Sequence, residues 1–179
     1  MQNLKNLNIE LKNYLATTTE QMVEDFVQML KGGLLTYFKD KSAIDTGALY
    51  FEYEYDYLNI TAWAADKKGE IITEPLHLPV HVKKDSWNAF LPEKIWDAAA
   101  DFQENSEDDE EFDEIWDEYN DEKYKIFEDW FCECWKIAST QAEVSKDAYF
   151  SIHDSYFKTD LNTFKTINDD EIAERFKTL

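Results

Sequence analysis

Three histidines, two cysteines and thirty-nine acidic side chains are the groups in this 179-residue chain that could bind a metal or move a proton. His77 and His81 stand four apart, a spacing that sets two zinc ligands on one side of a helix, but Pro79 between them forbids that helix. They are expected, with His153, as strand or loop histidines. Cys132 and Cys134 fall in a helical pattern, which turns their side chains about 200° apart and makes a disulfide between them implausible. A zinc site would need a second cysteine pair or close histidines, so one buried and one edge thiol in a reducing compartment is the expectation. Asp108-Asp109-Glu110-Glu111 lacks the glycine and alternating ligands of a calcium loop. Gly32-Gly33, Gly47 and Gly69 match neither a phosphate loop nor a dinucleotide fingerprint. With thirty-nine acids any carboxylate pair can be proposed for acid-base work, so no pair is informative. The chain reads as a non-enzyme with no catalytic residue, no metal and no cofactor.

What the acids do carry is charge. Eighteen basic against thirty-nine acidic residues leave a formal charge of −21. A field of that size repels nucleic acid and anionic membranes and attracts cationic surfaces. Between Glu104 and Glu122 twelve residues are Asp or Glu and none is Lys or Arg, while Phe112, Ile115, Trp116 and Tyr119 recur at helical spacing. This is the pattern of an amphipathic helix with an acidic outer face. Its stripe continues through Ile126, Phe127, Trp130, Phe131, Cys134 and Ala138, so the helix should run for about 28 residues, or about 40 Å, with Ser106 as its cap. Part of the acidity has a local cause, since a helix N-terminus favours negative charge. The outward acids Asp109, Glu110, Asp113, Glu114, Asp117 and Asp121 are the candidate contacts for a basic partner, set against the plainer reading of a solvated face. The run YFEYEYDY adds Tyr50, Glu52 and Glu54 as a second candidate, an aromatic and carboxylate platform for Arg or Lys side chains.

The elements that must position these groups follow from periodicity. Apolar residues make up 44% of the chain and aromatics 16%, which is far from a disordered composition, and the length suits one core. Leu4, Leu7, Leu11 and Leu15 mark a helix, and Thr17-Thr18-Thr19 is placed to cap a second segment carrying Met22, Val23, Phe26, Val27 and Leu30. A helical pair or one bent helix is expected there, stopped by Gly32-Gly33. From Leu49 to Tyr57 the period is two; the parity then shifts to Leu58, Ile60 and Ala62, which predicts a turn near residues 56–59. Asp66-Lys67-Lys68-Gly69 should turn the chain into a third antiparallel strand over Glu70 to Glu74. Leu76 to Val82, flanked and cut by prolines, reads as an edge or connector. Pro92 opens a helix bearing Ile95, Trp96, Ala99 and Phe102; Ala148 to Ile152 suits a further strand; and Asn168-Asp169-Asp170-Glu171 begins a last helix. The expected fold is a helix-rich, single α+β domain over residues 1–179, with a small antiparallel meander and one long acidic amphipathic helix.

In the order helix, Tyr-rich meander, the Trp-containing segment DEIWDEYNDEKYKIFEDWFCECW and the closing helix NDDEIAERF, the chain resembles bacterial immunity proteins that neutralise polymorphic toxins. The resemblance implies stoichiometric inhibition of a cognate toxin, often a nuclease, by covering its active or substrate-binding surface, and it assigns no residue; the acidic face adds that the toxin surface should be basic. The competing expectations are a phage-type DNA mimic that binds a host DNA-binding protein, and an acidic structural or oligomer-forming protein. No stretch approaches the ~18 to 20 apolar residues of a membrane span, and the start has no secretory pattern, so a cytoplasmic protein with a basic protein partner is expected. The oligomeric state stays open.

Overall fold

A computed structural model describes residues 2–80, 87, 89–106 and 111–177, with side chains from Leu4 onward. The elements are α1 (Gln2–Leu30), β1 (Thr46–Tyr53), β2 (Ile60–Asp66), β3 (Leu76–Leu78), α2 (Glu93–Ser106), α3 (Phe112–Ala142), β4 (Asp147–Ile152), β5 (Phe157–Asp160), β6 (Lys165–Asn168) and α4 (Asp169–Lys177). The strands form one sheet in the order β3-β2-β1-β4-β5-β6. Every pairing is antiparallel except β1 with β4 at the centre, which is parallel and therefore requires a long crossover through β2, β3, α2 and α3. The fold is α+β, and the expected meander is one half of a larger mixed sheet.

Apolar periodicity explains the layers. Leu4, Leu7, Leu11, Leu15, Met22, Phe26 and Leu30 all turn inward from α1, and Phe127, Phe131, Cys134 and Ala138 do so from α3. These two helices lie on the sheet face formed by Leu49, Phe51, Tyr53 and Phe150. Phe131 stacks on Phe150 with centroids 3.8 Å apart, and Phe26, Phe51 and Trp135 meet it edge-on or each other at 5.0 to 5.5 Å. The opposite face is covered in part by α4, whose Ile172 packs with Ala48, Tyr149 and Ile167.

Several expectations change. The three threonines do not cap a second helix. Thr17 donates to the Tyr14 carbonyl at 2.6 Å, Thr18 and Thr19 donate to that of Leu15, and α1 runs unbroken for 29 residues. It stops where Gly32 takes φ +85°, with Gly33 N–H bonded to the Gln28 carbonyl and Gly32 N–H to that of Met29. Tyr55 and Tyr57 are exposed turn residues; the chain reverses over 54–59, with Leu58 at φ +56° and its side chain buried. The stretch 70–74 is no full strand. Ile72 still bonds to Ala64, but the Ala64 N–H is taken by the Thr73 hydroxyl at 2.9 Å, and the segment leaves to pair with residues 36–38. The third strand is instead Leu76–Leu78, at the sheet edge that its prolines suggested. Ser106 ends α2 rather than capping α3, which starts at Phe112 after Glu111 and runs for 31 residues, about 46 Å.

Candidate partner-binding surface and a lysine pocket

The outward side of α3 follows from its inward side. With Phe112, Tyr119, Phe127 and Phe131 held in the core, Asp113, Asp117 and Asp121 fall at i, i+4 and i+8 on exposed positions, with Glu114 beside them. Each step along this row rises about 6 Å. None of the four forms an ion pair among the described residues. The acids on the flank behave differently: Glu118 meets Lys5 at 3.5 Å, and Glu122 accepts a 2.9 Å hydrogen bond from Asn8. Farther along, Asp129 and Glu133 are met by Lys125 and Lys136. The first half of α3 thus presents a row of uncompensated carboxylates on a helix anchored along its whole opposite side. Asp109 and Glu110 lie outside the described residues.

Tyr50, Glu52 and Glu54 are not part of this surface. They belong to β1 and its end, and the first two point to the sheet face opposite α1 and α3. Tyr50 stacks on Trp63 with centroids 5.5 Å apart and an interplanar angle of 4°, and it tilts against Tyr149. Burial raises its phenol pKa. Glu52 accepts or shares a 3.1 Å hydrogen bond with His153 Nδ1, and Glu54 lies 3.9 Å from the same atom. That hydrogen bond to Glu52 raises the imidazole pKa above its usual 6.5. The expected platform is therefore split: its tyrosine is half-buried in a ring cluster, and its carboxylates are engaged by a histidine.

The feature that periodicity passed over is Lys123. It occupies the inner side of α3 one turn after Tyr119 and one turn before Phe127, and only 6% of it is exposed. Its ammonium donates to Asn120 Oδ1 at 2.8 Å and sits 4.7 Å from the Tyr124 ring centroid and 5.5 Å from that of Tyr119. Among the described residues no carboxylate forms an ion pair with it. Burial lowers its pKa from 10.5 to about 8, with the more distant charge of Asp56 opposing. Lys123 lines a cavity of about 380 Å³ between α2, α3 and the 54–59 turn, walled by Tyr55, Tyr57, Trp96, Trp116 and Tyr124. The other buried lysine among the described residues, Lys158, is paired with Asp169 at 3.1 Å.

The remaining reactive groups are scattered. His77, on β3, faces Thr61 at 3.3 Å, far along the sheet from His153, and His81 lies outside the described residues. Cys132 is half-buried and Cys134 buried, and burial pushes their thiols up to about 11 and about 12, which favours the protonated form at neutral pH. Among the described residues no three His, Cys, Asp or Glu side chains gather to hold a metal, and no helix is long and apolar enough to cross a membrane. No family model, curated protein or solved structure matches the chain.

Proposed function

We propose that the protein is a binding inhibitor of the immunity type, which docks the acidic first half of α3 against a basic protein surface and so occludes it. The observation that carries this reading is the row Asp113, Asp117 and Asp121, exposed, regularly spaced and without a basic partner among the described residues, while Glu118, Asp129 and Glu133 of the same helix are each met by a lysine. Uncompensated carboxylates repel one another and cost stability, and a cationic partner removes that repulsion on binding. The helix is rigid because its other side is core, so the row arrives at the partner already ordered, which lowers the entropy lost on association. Among the described residues no geometry favours catalysis: burial raises the pKa of both thiols, and His77 and His153 stand apart, one bonded to Thr61 and the other to Glu52.

The test compares the wild-type chain with D113N/D117N/D121N as baits in lysate of the native host. A basic protein retained by the wild type at low salt, released as ionic strength rises, and not retained by the triple variant supports the reading. Addition of the chain should then abolish that protein's own activity at a one-to-one ratio. Equal retention by both baits, or binding without loss of the partner's activity, would refute it. A captured partner that binds DNA, and whose DNA competes with the chain, would point to phosphate mimicry as the mode of occlusion.

A further inference from the structure

None of the acids of the row lines the Lys123 cavity. A buried ammonium is stable only when its charge is offset and its N–H groups are bonded. Lys123 has three N–H donors and, among the described residues, one acceptor, Asn120 Oδ1, and no contacting carboxylate, in a chain where acids outnumber basic residues by thirty-nine to eighteen. Lys158 shows how the same chain treats a buried lysine that needs only structural satisfaction: it pairs with Asp169 and donates to the Ser155 carbonyl. Lys123 instead lines a space of about 380 Å³, within the range of small-molecule sites, and a guest there would offer acceptors for its remaining donors.

The wall narrows the chemistry. Aromatic rings from three elements surround the space: Tyr55 and Tyr57 of the turn, Trp96 of α2, and Trp116 and Tyr124 of α3. Trp96 and Tyr57 are 5.7 Å apart at 35°, and Trp87 closes on both, so this side of the wall is braced. Flat rings favour a planar guest by offset or edge contacts. One ammonium, with Asp56 also on the lining and a protein charge of −21 around it, admits a single negative charge and disfavours a dianion. We infer that the cavity is a binding site for a small aromatic monocarboxylate, whose carboxylate accepts hydrogen bonds from the Lys123 ammonium and whose ring lies among the tyrosines and tryptophans.

The experiment titrates the full chain at pH 7 with 1-naphthoate and indole-3-carboxylate, and with the uncharged carboxamide of each, following tryptophan fluorescence and heat. Trp96 and Trp116 line the site, so quenching or a spectral shift should saturate with either carboxylate. Loss of the charge-assisted hydrogen bond should weaken each carboxamide by about tenfold or more. Lys123→Met should reduce carboxylate affinity to about the level of the carboxamide, while D113N/D117N/D121N, which removes nearby negative charge, should bind neither ligand more weakly than the wild type does. Should K123M fail to fold, the paired ligands on the wild type decide the matter alone. Equal affinity for acid and amide, no saturable signal up to millimolar ligand, or undiminished carboxylate binding by folded K123M would overturn the inference.

Discussion

Replacing Lys123 by methionine keeps most of the side chain's length and volume while removing its charge. The wild-type group has its pKa lowered from 10.5 to about 8, chiefly by burial. At about 1.4 kcal/mol per tenfold, holding this amine protonated costs the folded state roughly 3 kcal/mol at neutral pH. The unfolded chain binds the proton more tightly, so the penalty is complete below about pH 8 and is relieved as pH rises toward 10.5, where both states become neutral. Methionine also loses the bond to Asn120 and the contacts with Tyr119 and Tyr124, which offset part of the gain. K123M should therefore be more stable than wild type by about 1 to 3 kcal/mol at pH 7, with an advantage that shrinks steadily through pH 9 and 10. Urea unfolding of both proteins at pH 7, 8, 9 and 10, read by tryptophan fluorescence, measures this difference. Cys132, Cys134, Tyr119 and Tyr124 also titrate at alkaline pH, but both proteins contain them, so their effect largely cancels. A variant destabilised by more than 1 kcal/mol at pH 7, or a difference flat with pH, would refute the account of Lys123 as an unpaired buried charge.

Four further outcomes are expected. Phe131→Ala should cost about 3 to 5 kcal/mol in chemical denaturation, because the ring is fully buried between Phe150, Phe51 and Phe26. Asn168→Ala should cost about 1 kcal/mol, since Asn168 Oδ1 accepts from Glu171 N–H at 2.9 Å while Glu171 bonds back to Asn168 N–H at 3.0 Å, closing a capping box on α4. Asp160 is buried, which raises its pKa, but Arg175 at 2.8 Å and the Asn162 N–H outweigh burial and hold it below the usual carboxylate range. Its contribution is thus present above about pH 4 and lost as pH falls through its folded value, so Asp160→Asn should flatten the acid limb of the stability curve. In an NMR titration the His153 imidazole should lose its proton above pH 6.5, and Glu52→Gln should bring that midpoint down; no change would show that the 3.1 Å contact does not form in solution.

Local pattern carried much of the architecture. The leucine stripe of α1, the Tyr-rich strand, the Lys67-Lys68-Gly69 turn, the Pro92 helix start and the Asn168 cap are legible because each depends on residues within one or two turns of one another. The outward position of Asp113, Asp117 and Asp121 is legible for the same reason: once the aromatic side of α3 is inward, the other side is fixed by the helical period. β5 and β6 escaped because four-residue strands built on Lys158, Asp160, Lys165 and Thr166 carry no apolar alternation. Their buried charges are tolerated only because Asp169 and Arg175 arrive from α4. The parallel union of β1 and β4, and with it the placing of Tyr50 and Glu52 on the face opposite α3, is a long-range pairing that no local window encodes. Lys123 left one trace, a basic residue interrupting the apolar stripe between Tyr119 and Phe127. Whether such a lysine reaches solvent along its flexible stem or stays inside depends on what stands above it. Here α2 and the 54–59 turn, distant in sequence, close over it and make a charge that the helix alone would have exposed into the lining of a cavity.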